Sequence, residues 1–159
     1  MTALEIKKFL KRSYAFRTQS IFIPEYTYGD LRIDAIVVDT ARRWIRGFEI
    51  KTSRSDFLQD DKWVLYSEFC SSLSVVCPEG VVRPEEIKKP FGLLWILHKT
   101  DAYNPRNLIW KKKPLNFQKR QSLSWFWTYT NVLEKEILRL DREAGLLRER
   151  VGRLDRIEE

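Results

Sequence analysis

The sequence predicts a mixed α/β (α+β) fold, in which helices flank a mixed sheet and a long C-terminal helix follows it. Three runs rich in β-branched and aromatic residues follow one another over residues 20–52, which indicates consecutive strands. A helical pattern and two short apolar runs come next, and strands connected through a helix favour parallel pairing. From about Ser122 the apolar residues recur at helical spacing, which predicts the long helix.

The first fifty residues are predicted to form one helix and three strands. Apolar side chains recur every three or four residues between Leu4 and Tyr14, which predicts an amphipathic helix over residues 3–16. The runs IFIPEY, LRIDAIVVD and RWIRGFEIK follow, separated by turn formers at Gly29-Asp30 and in DTARR. We therefore expect three antiparallel strands joined by short turns.

The middle of the chain is predicted to contain a helix and two buried strands. In DFLQDDKWVLYSEFC the apolar residues have helical spacing, which predicts one helix that ends at about Cys70. Asp56 is a suitable N-cap for it, and Ser53 and Ser55 are alternatives. SLSVVCP and FGLLWILH predict short buried strands, and EGVVRPEEIKKP between them predicts a loop with one turn of helix at most.

A basic segment follows the second buried strand. KTDAYNPRNLIWKKKPLNF combines turn formers with Lys111, Lys112 and Lys113. One interpretation is a short edge strand whose lysines are solvated, since charged side chains are common on sheet edges. The other interpretation is a patch that contacts phosphate groups.

The C-terminal region has the spacing of a coiled-coil seam. Its apolar residues alternate steps of four and three between charged flanks. They are Leu133, Ile137, Leu140, Ala144, Leu147, Val151 and Leu154. The helix either lies on its own domain or forms a coiled-coil homodimer. We therefore divide the chain into a domain at 1–118 and an amphipathic helix at 119–159.

Composition narrows the possible function classes. The chain of 159 residues carries a net charge of +7, which favours polyanionic partners, nucleic acid before an anionic membrane. It has no run of about 18 apolar residues and no signal-peptide pattern, so we expect a cytoplasmic protein without membrane association. Cys70 and Cys77, with a single histidine in the chain, are too few for a zinc site, and we expect reduced core thiols.

Two acids and a lysine in neighbouring strands form the candidate site. Side chains alternate along a strand, so Glu49 and Lys51 share a face. Asp34 lies in the preceding strand, about as far from the turn at residues 41–42 as Glu49, so a hairpin places the two acids side by side. Two close carboxylates repel and need a cation, and their oxygens suit Mg²⁺ or Mn²⁺. Taken alone, an acid followed two residues later by a lysine is common on solvated strands.

The same residues carry a resemblance to a known family. Asp34 followed by Glu49-Ile50-Lys51 resembles the motif of the PD-(D/E)XK nuclease superfamily, although Ile33 stands where that motif has proline. More narrowly, FEIKTSRSDFLQDDKWVLYSEFC is similar to the MmcB-like DNA-repair proteins. The matching residues are Glu49, Ile50, Lys51, Thr52, Asp56, Phe57, Asp60, Lys62, Trp63, Tyr66 and Cys70. The similarity covers about residues 20–97 and leaves out the C-terminal helix.

The resemblance implies a restriction-endonuclease-like core and roles for individual residues. Asp34 and Glu49 would bind the metal ion, and the Ile50 backbone carbonyl would be a further ligand. Lys51 would be the catalytic lysine. Glu25, one strand earlier, would add an acid to the metal shell, with Glu5 on the first helix as the alternative.

The predicted DNA contacts lie beside this site and on the basic segment. On an α-helix Lys62 and Tyr66 are four residues apart and share a face, from which they could flank the site. Alternatively, Lys62 pairs with an acid on the surface. The full set of predicted DNA-binding residues is Arg54, Lys62, Tyr66, Lys111, Lys112 and Lys113.

The residues predict metal-assisted phosphodiester hydrolysis, and the resemblance implies a Mg²⁺- or Mn²⁺-dependent DNA nuclease, with an endonuclease favoured, that acts in DNA repair or processing. We expect no organic cofactor. Two alternatives stay open: a catalytically inactive protein of nuclease fold that binds DNA or assembles with it, and a nuclease that processes RNA.

Overall fold

A six-stranded mixed sheet organises the first part of the chain. The structure, a computed structural model, describes residues 1–15, 20–60, 62–97, 104–117 and 122–154. The strands lie side by side in chain order: β1 (Ser20–Tyr28), β2 (Leu31–Asp39), β3 (Trp44–Ile50), β4 (Ser72–Pro78), β5 (Gly92–Ile96) and β6 (Leu108–Lys112). The predicted mixed α/β class is confirmed.

A tight turn between neighbouring strands requires antiparallel pairing, whereas a long connection allows either direction. β1, β2 and β3 pair antiparallel through tight turns, and Gly29 in the first turn has a φ of 56° that glycine adopts without strain. β3, β4 and β5 pair parallel, because the connections between them are long enough to return the chain to the same edge. β6 then pairs antiparallel with β5 at the end of the sheet.

Helix α1 (Ala3–Ala15) covers one face of the sheet and confirms the predicted amphipathic helix. Its apolar stripe packs with side chains of β2 to β5. The buried members of this cluster are Ile6, Phe9, Leu10, Tyr14, Ala35, Val37, Phe48, Ile50, Val76, Leu94 and Ile96. Phe16, the last residue of the predicted helix, lies outside the described residues.

The prediction of a single helix over residues 56–70 is wrong. Helix α2 (Arg54–Gln59) is capped by Ser53, whose side chain accepts from the Asp56 N–H, and it ends at Asp60. A 3-10 helix (Lys62–Glu68) follows. Asp60 leaves the helical conformation, with φ −126° and ψ 115°, and its carboxylate accepts a hydrogen bond from Lys51. Asp61 and the Trp63 side chain lie outside the described residues.

The two cysteines are free and buried, as predicted. Cys70 follows the 3-10 helix and Cys77 lies in β4. Burial raises the pKa of the Cys77 thiol to about 11 and that of Cys70 further. Both thiols are therefore protonated core groups at neutral pH.

Helix α3 (Ser122–Leu154) forms the second of two units, which divide between Gln121 and Ser122. Several of its apolar side chains are more than half exposed, among them Ile137, Leu140 and Leu147. Residues 119–121 and 155–159 of the predicted helix lie outside the described residues. None of the helices within the described ranges combines the length and apolar character needed to cross a bilayer.

Candidate functional site

The candidate site lies where strands β2 and β3 stop pairing. Their regular register ends with Ala35 opposite Phe48. Beyond that pair, the Ile50 N–H donates to Oδ2 of Asp34 at 2.9 Å. The Asp34 carboxylate therefore accepts the hydrogen bond that a backbone carbonyl of β2 would otherwise accept, and the backbone of β3 orients it.

Glu49 lies directly before Ile50 with its side chain only 8% exposed. Its Oε1 accepts from Lys51 Nζ at 3.2 Å, whereas Oε2 has no hydrogen-bond partner within the described residues. Burial, and then the negative charge of Asp34, raises the pKa of Glu49 to about 7. A buried carboxylate oxygen without a partner costs about 1–3 kcal/mol, so this position favours a proton or a cation.

Lys51 follows β3 and is 2% exposed. Its backbone N–H donates to the Val76 carbonyl at 2.9 Å, which fixes it beside β4. Its Nζ lies 2.6 Å from Asp60 Oδ2 and 4.0 Å from Asp56 Oδ1, in addition to the bond with Glu49. Burial alone would lower the pKa of Lys51, but the hydrogen bonds and charges of Asp60 and Glu49 raise it above its usual value. Lys51 is therefore a cation.

A second lysine reaches the site from α1. Lys7 Nζ lies 3.4 Å from Asp34 Oδ1 and 2.8 Å from Glu25 Oε1. Sequence reasoning missed this residue. A signal was present, because Lys7 precedes Leu10 by three residues and Tyr14 by seven, which places it beside the apolar stripe.

The two candidates for an additional acid are placed differently. Glu25 shares Lys7 with Asp34 and also pairs with Arg32 at 2.9 Å, and these cations lower its pKa. Its φ of 54° is unusual for a residue within a strand. Glu5 instead accepts from the Thr2 N–H at 2.7 Å at the start of α1. Of the two, Glu25 is the one linked to Asp34.

The predicted contacts on the α2 side do not form one surface. Tyr66 is buried and donates from its hydroxyl to the Arg32 carbonyl at 2.6 Å. Burial, and then the charges of Glu49, Asp60 and Asp34, raises its pKa to about 12. Lys62 is exposed, and because this segment is a 3-10 helix with three residues per turn, the expected i, i+4 face does not form.

Arg54 forms an ion pair with Glu86, which lies later in the chain. Its guanidinium binds both carboxylate oxygens of Glu86, one of them at 2.6 Å. That contact lowers the pKa of Glu86 to about 2. A DNA phosphate would therefore have to compete with Glu86 for Arg54.

The lysines of the basic segment lie on and after edge strand β6, which β4 and β5 separate from β3. Lys111 Nζ lies 4.6 Å from the centre of the Trp95 ring, and Lys112 Nζ donates to the Ile87 carbonyl. Lys113 borders a cavity on the α1 side of the sheet. The structure therefore does not gather these lysines around Asp34 and Glu49.

The donor set can be tested for a metal ion. Within the described residues, no group of three or more His, Cys, Asp or Glu is arranged to hold one. Mg²⁺, however, is commonly held by one or two carboxylates and several waters. Asp34, and Glu49 with its unpartnered oxygen, fit a site of that kind.

Comparisons with known proteins address the fold alone. No protein-family model matches the sequence, and no curated protein matches it. A solved structure of a protein of unknown function from Silicibacter pomeroyi is similar, with a TM-score of 0.62 and 23% identity over 77% of each chain. The likeness at this identity is one of fold, and the nuclease family indicated by the motif stays a prediction.

Proposed function

We propose that the chain is a divalent-metal-dependent nuclease that hydrolyses phosphodiester bonds in DNA, in DNA repair or processing. The observation that carries this proposal is Glu49, a buried carboxylate with an unpartnered oxygen beside Asp34 and Lys51. The resemblance of these residues to the PD-(D/E)XK motif supports the reaction type. The net charge of +7 supports a polyanionic substrate.

Asp34 and Glu49 would hold Mg²⁺ or Mn²⁺, with the Ile50 carbonyl and Glu25 as further ligands. A bound ion of this kind supplies Lewis acidity toward a phosphate oxygen and lowers the pKa of a bound water. The Ile50 N–H keeps Asp34 oriented. Since the pKa of Glu49 is near 7, its proton can be displaced at neutral pH.

Lys51 acts as a donor in this proposal. A protonated amine cannot accept a proton, so Lys51 would counter the negative charge that grows on the phosphate in the transition state. Asp60, at 2.6 Å from Nζ, holds the ammonium group in place. Asp60 is therefore assigned a positioning role that the sequence motif alone did not indicate.

The test is cleavage by the purified full-length chain with Mg²⁺ or Mn²⁺ on duplex, flap, junction and single-stranded DNA. We expect cleavage by the natural sequence and a loss of about 100-fold or more in Lys51→Ala and Asp34→Ala. The exposed residues Lys88 and Asp30 supply matched controls, as Lys88→Ala and Asp30→Ala. Circular dichroism of each variant confirms folding, and matched RNA substrates separate DNA from RNA specificity.

Absence of cleavage on every DNA substrate would contradict the proposal, as would full activity of Lys51→Ala. The second candidate function is a catalytically inactive protein of the same fold that binds DNA. Lys7 and Lys51 favour it, because their ammonium groups already form ion pairs with Asp34 and Glu49. It predicts salt-sensitive DNA binding that Lys51→Ala leaves unchanged, measured by fluorescence anisotropy at several salt concentrations.

A further inference from the structure

A cavity of about 260 Å³ opens on the α1 side of the sheet, away from the candidate metal site. Its walls come from β3, β4, β6 and the segment that follows β6. Phe48 and Trp110 line it and also belong to, or pack against, the cluster that includes α1. Arg46 and Phe48 alternate with Glu49 along β3, so the cavity and Glu49 lie on opposite faces of the sheet.

One wall of the cavity packs closely against a glycine of β5. Ser74 lines it and lies opposite Gly92 of β5 in the parallel register. A Cβ at Gly92 would lie 2.6 Å from Ser74 Oγ and 2.7 Å from Pro114 Cδ. The absence of a side chain at Gly92 therefore allows Pro114, another lining residue, to approach the sheet.

Two hydroxyl groups in the cavity lack partners. Ser72 and Ser74 are 7% and 2% exposed, and neither side chain makes a hydrogen bond within the described part of the chain. Neither oxygen is among the fully buried side-chain atoms without a partner in the described residues, so both hydroxyls open onto the cavity. They make part of the cavity wall polar and can bond to a ligand that enters it.

Two cations at the same cavity also lack acidic partners. Arg46 is half-buried and Lys113 is exposed, and neither forms an ion pair with any carboxylate in the described ranges. The Arg46 guanidinium lies 5.9 Å from the centre of the Trp44 ring. Trp44 and Trp110 both line the cavity, so it combines indole rings with unneutralised positive charge.

We propose that this cavity binds a nucleotide, with the base against Trp44 or Trp110 and the phosphate on Arg46 and Lys113. The indole rings suit the flat face of a base, and the two cations suit a phosphate. Pockets for drug-sized ligands measure about 300–1,000 Å³, so this smaller cavity suits a single base whose phosphate stays at the rim. The ligand is a free nucleotide or one nucleotide of a nucleic-acid strand.

The test measures binding to the full-length chain in EDTA, which removes any contribution of the metal site. The probes are deoxyadenosine monophosphate, thymidine monophosphate, deoxyadenosine and inorganic phosphate, titrated by calorimetry. We expect at least one monophosphate to bind saturably, and about tenfold more tightly than the nucleoside or phosphate alone. Absence of saturable binding by both monophosphates would overturn the proposal.

Substitutions assign the binding to the cavity. Arg46→Gln, Lys113→Gln and Trp44→Leu should each weaken binding by about tenfold, through loss of one charge or one stacking surface. Arg106→Gln and Lys8→Gln change exposed cations elsewhere and should leave binding unchanged. Lys113 is exposed, so Lys113→Gln keeps the test valid if Arg46→Gln fails to fold. Unchanged binding in Lys113→Gln would contradict the proposal.

A competition experiment identifies the source of the nucleotide. Displacement of the bound monophosphate by a single-stranded oligothymidine indicates a strand, and failure of displacement indicates a free nucleotide; both outcomes retain the cavity as a nucleotide site. The same titration on Lys51→Ala separates this inference from the nuclease proposal. Binding should be unchanged in that variant, whatever the result of the cleavage assay.

Discussion

Glu49 is the acid of the candidate site whose pKa is raised by its surroundings. Its pKa is raised from 4.5 to about 7, mainly by burial and then by Asp34. The folded chain therefore binds a proton at Glu49 that the unfolded chain releases between these two values. This contribution to stability is fully present below pH 4.5 and is lost as the pH rises to about 7.

Replacement of Glu49 by glutamine removes this titration. From pH 5 to pH 8, the free energy of unfolding of the natural sequence should fall relative to Glu49→Gln by on the order of 3 kcal/mol. Urea denaturation at both pH values measures the difference. Glu79→Gln, an exposed change, is the control and should track the natural sequence. Parallel pH profiles for Glu49→Gln and the natural sequence would contradict the assignment.

Lys7 is the cation that a metal ion would have to displace from Asp34. Its Nζ lies 3.4 Å from Asp34 Oδ1, so its charge competes with a divalent ion for the same oxygen. Lys7→Gln should therefore strengthen Mn²⁺ binding by about tenfold, since one nearby positive charge is removed. Calorimetric titration with Mn²⁺ tests this, with the exposed neighbour Lys8→Gln as control. Weaker Mn²⁺ binding in Lys7→Gln would show that Lys7 supports the site.

At the scale of the elements, β3 depends on a close approach at Gly47. A Cβ there would lie 2.7 Å from both Cys70 Sγ and Ile33 Cδ1, and 2.8 Å from Leu73 Cδ1. Such overpacking in a core costs about 1–3 kcal/mol. Gly47→Ala should therefore lower the free energy of unfolding by that amount, measured by urea denaturation.

The same substitution in α3 should have the opposite effect. A Cβ at Gly145 meets no atom within 4 Å. Alanine is more favourable than glycine in a helix by about 1 kcal/mol, so Gly145→Ala should stabilise the helix, with greater helical ellipticity. Equal effects of Gly47→Ala and Gly145→Ala would contradict the close packing inferred for β3.

Periodicity and turn chemistry were sufficient to predict most elements. The expected turn centre at 41–42 agrees with the observed register of Ala35 opposite Phe48. The break at Asp60 was not predictable in this way, because helical apolar spacing continues past it and does not reveal the Asp60 contact with Lys51, which lies outside this segment. Periodicity places Lys7 beside the apolar stripe of its helix, but it does not identify the partner, Asp34, which lies on β2.

At the scale of the molecule, the cavity and Glu49 of the carboxylate site lie on opposite faces of one sheet. The charges of the carboxylate site are paired with Lys7 and Lys51, whereas Arg46 and Lys113 at the cavity lack carboxylate partners in the described ranges. The cavity therefore offers an anion uncompensated positive charge, and Arg54 does not, since Glu86 holds it. We expect initial contact with a phosphate to depend more on Arg46 and Lys113 than on Arg54.

Helix α3 raises the question of assembly. A helix of 33 residues is about 50 Å long, and part of its heptad seam is exposed. Ile137, Leu140 and Leu147 of this seam are each more than half exposed. Exposed apolar side chains in register along a helix mark an interaction surface. We propose that two copies of the chain pair through this seam as a coiled coil.

The full-length chain should therefore be a dimer in light scattering, and a double change of Ile137→Glu and Leu140→Glu should convert it to a monomer. Each copy would bring two charges to the seam, so the dimer would have to bury four, which costs far more than a dimer of this size can offset. Leu138→Glu is the matched control, since Leu138 is equally exposed but lies off the seam, and it should leave the dimer intact. A monomeric natural sequence would contradict the proposal, as would dissociation caused equally by Leu138→Glu, because the seam would then not be the contact surface.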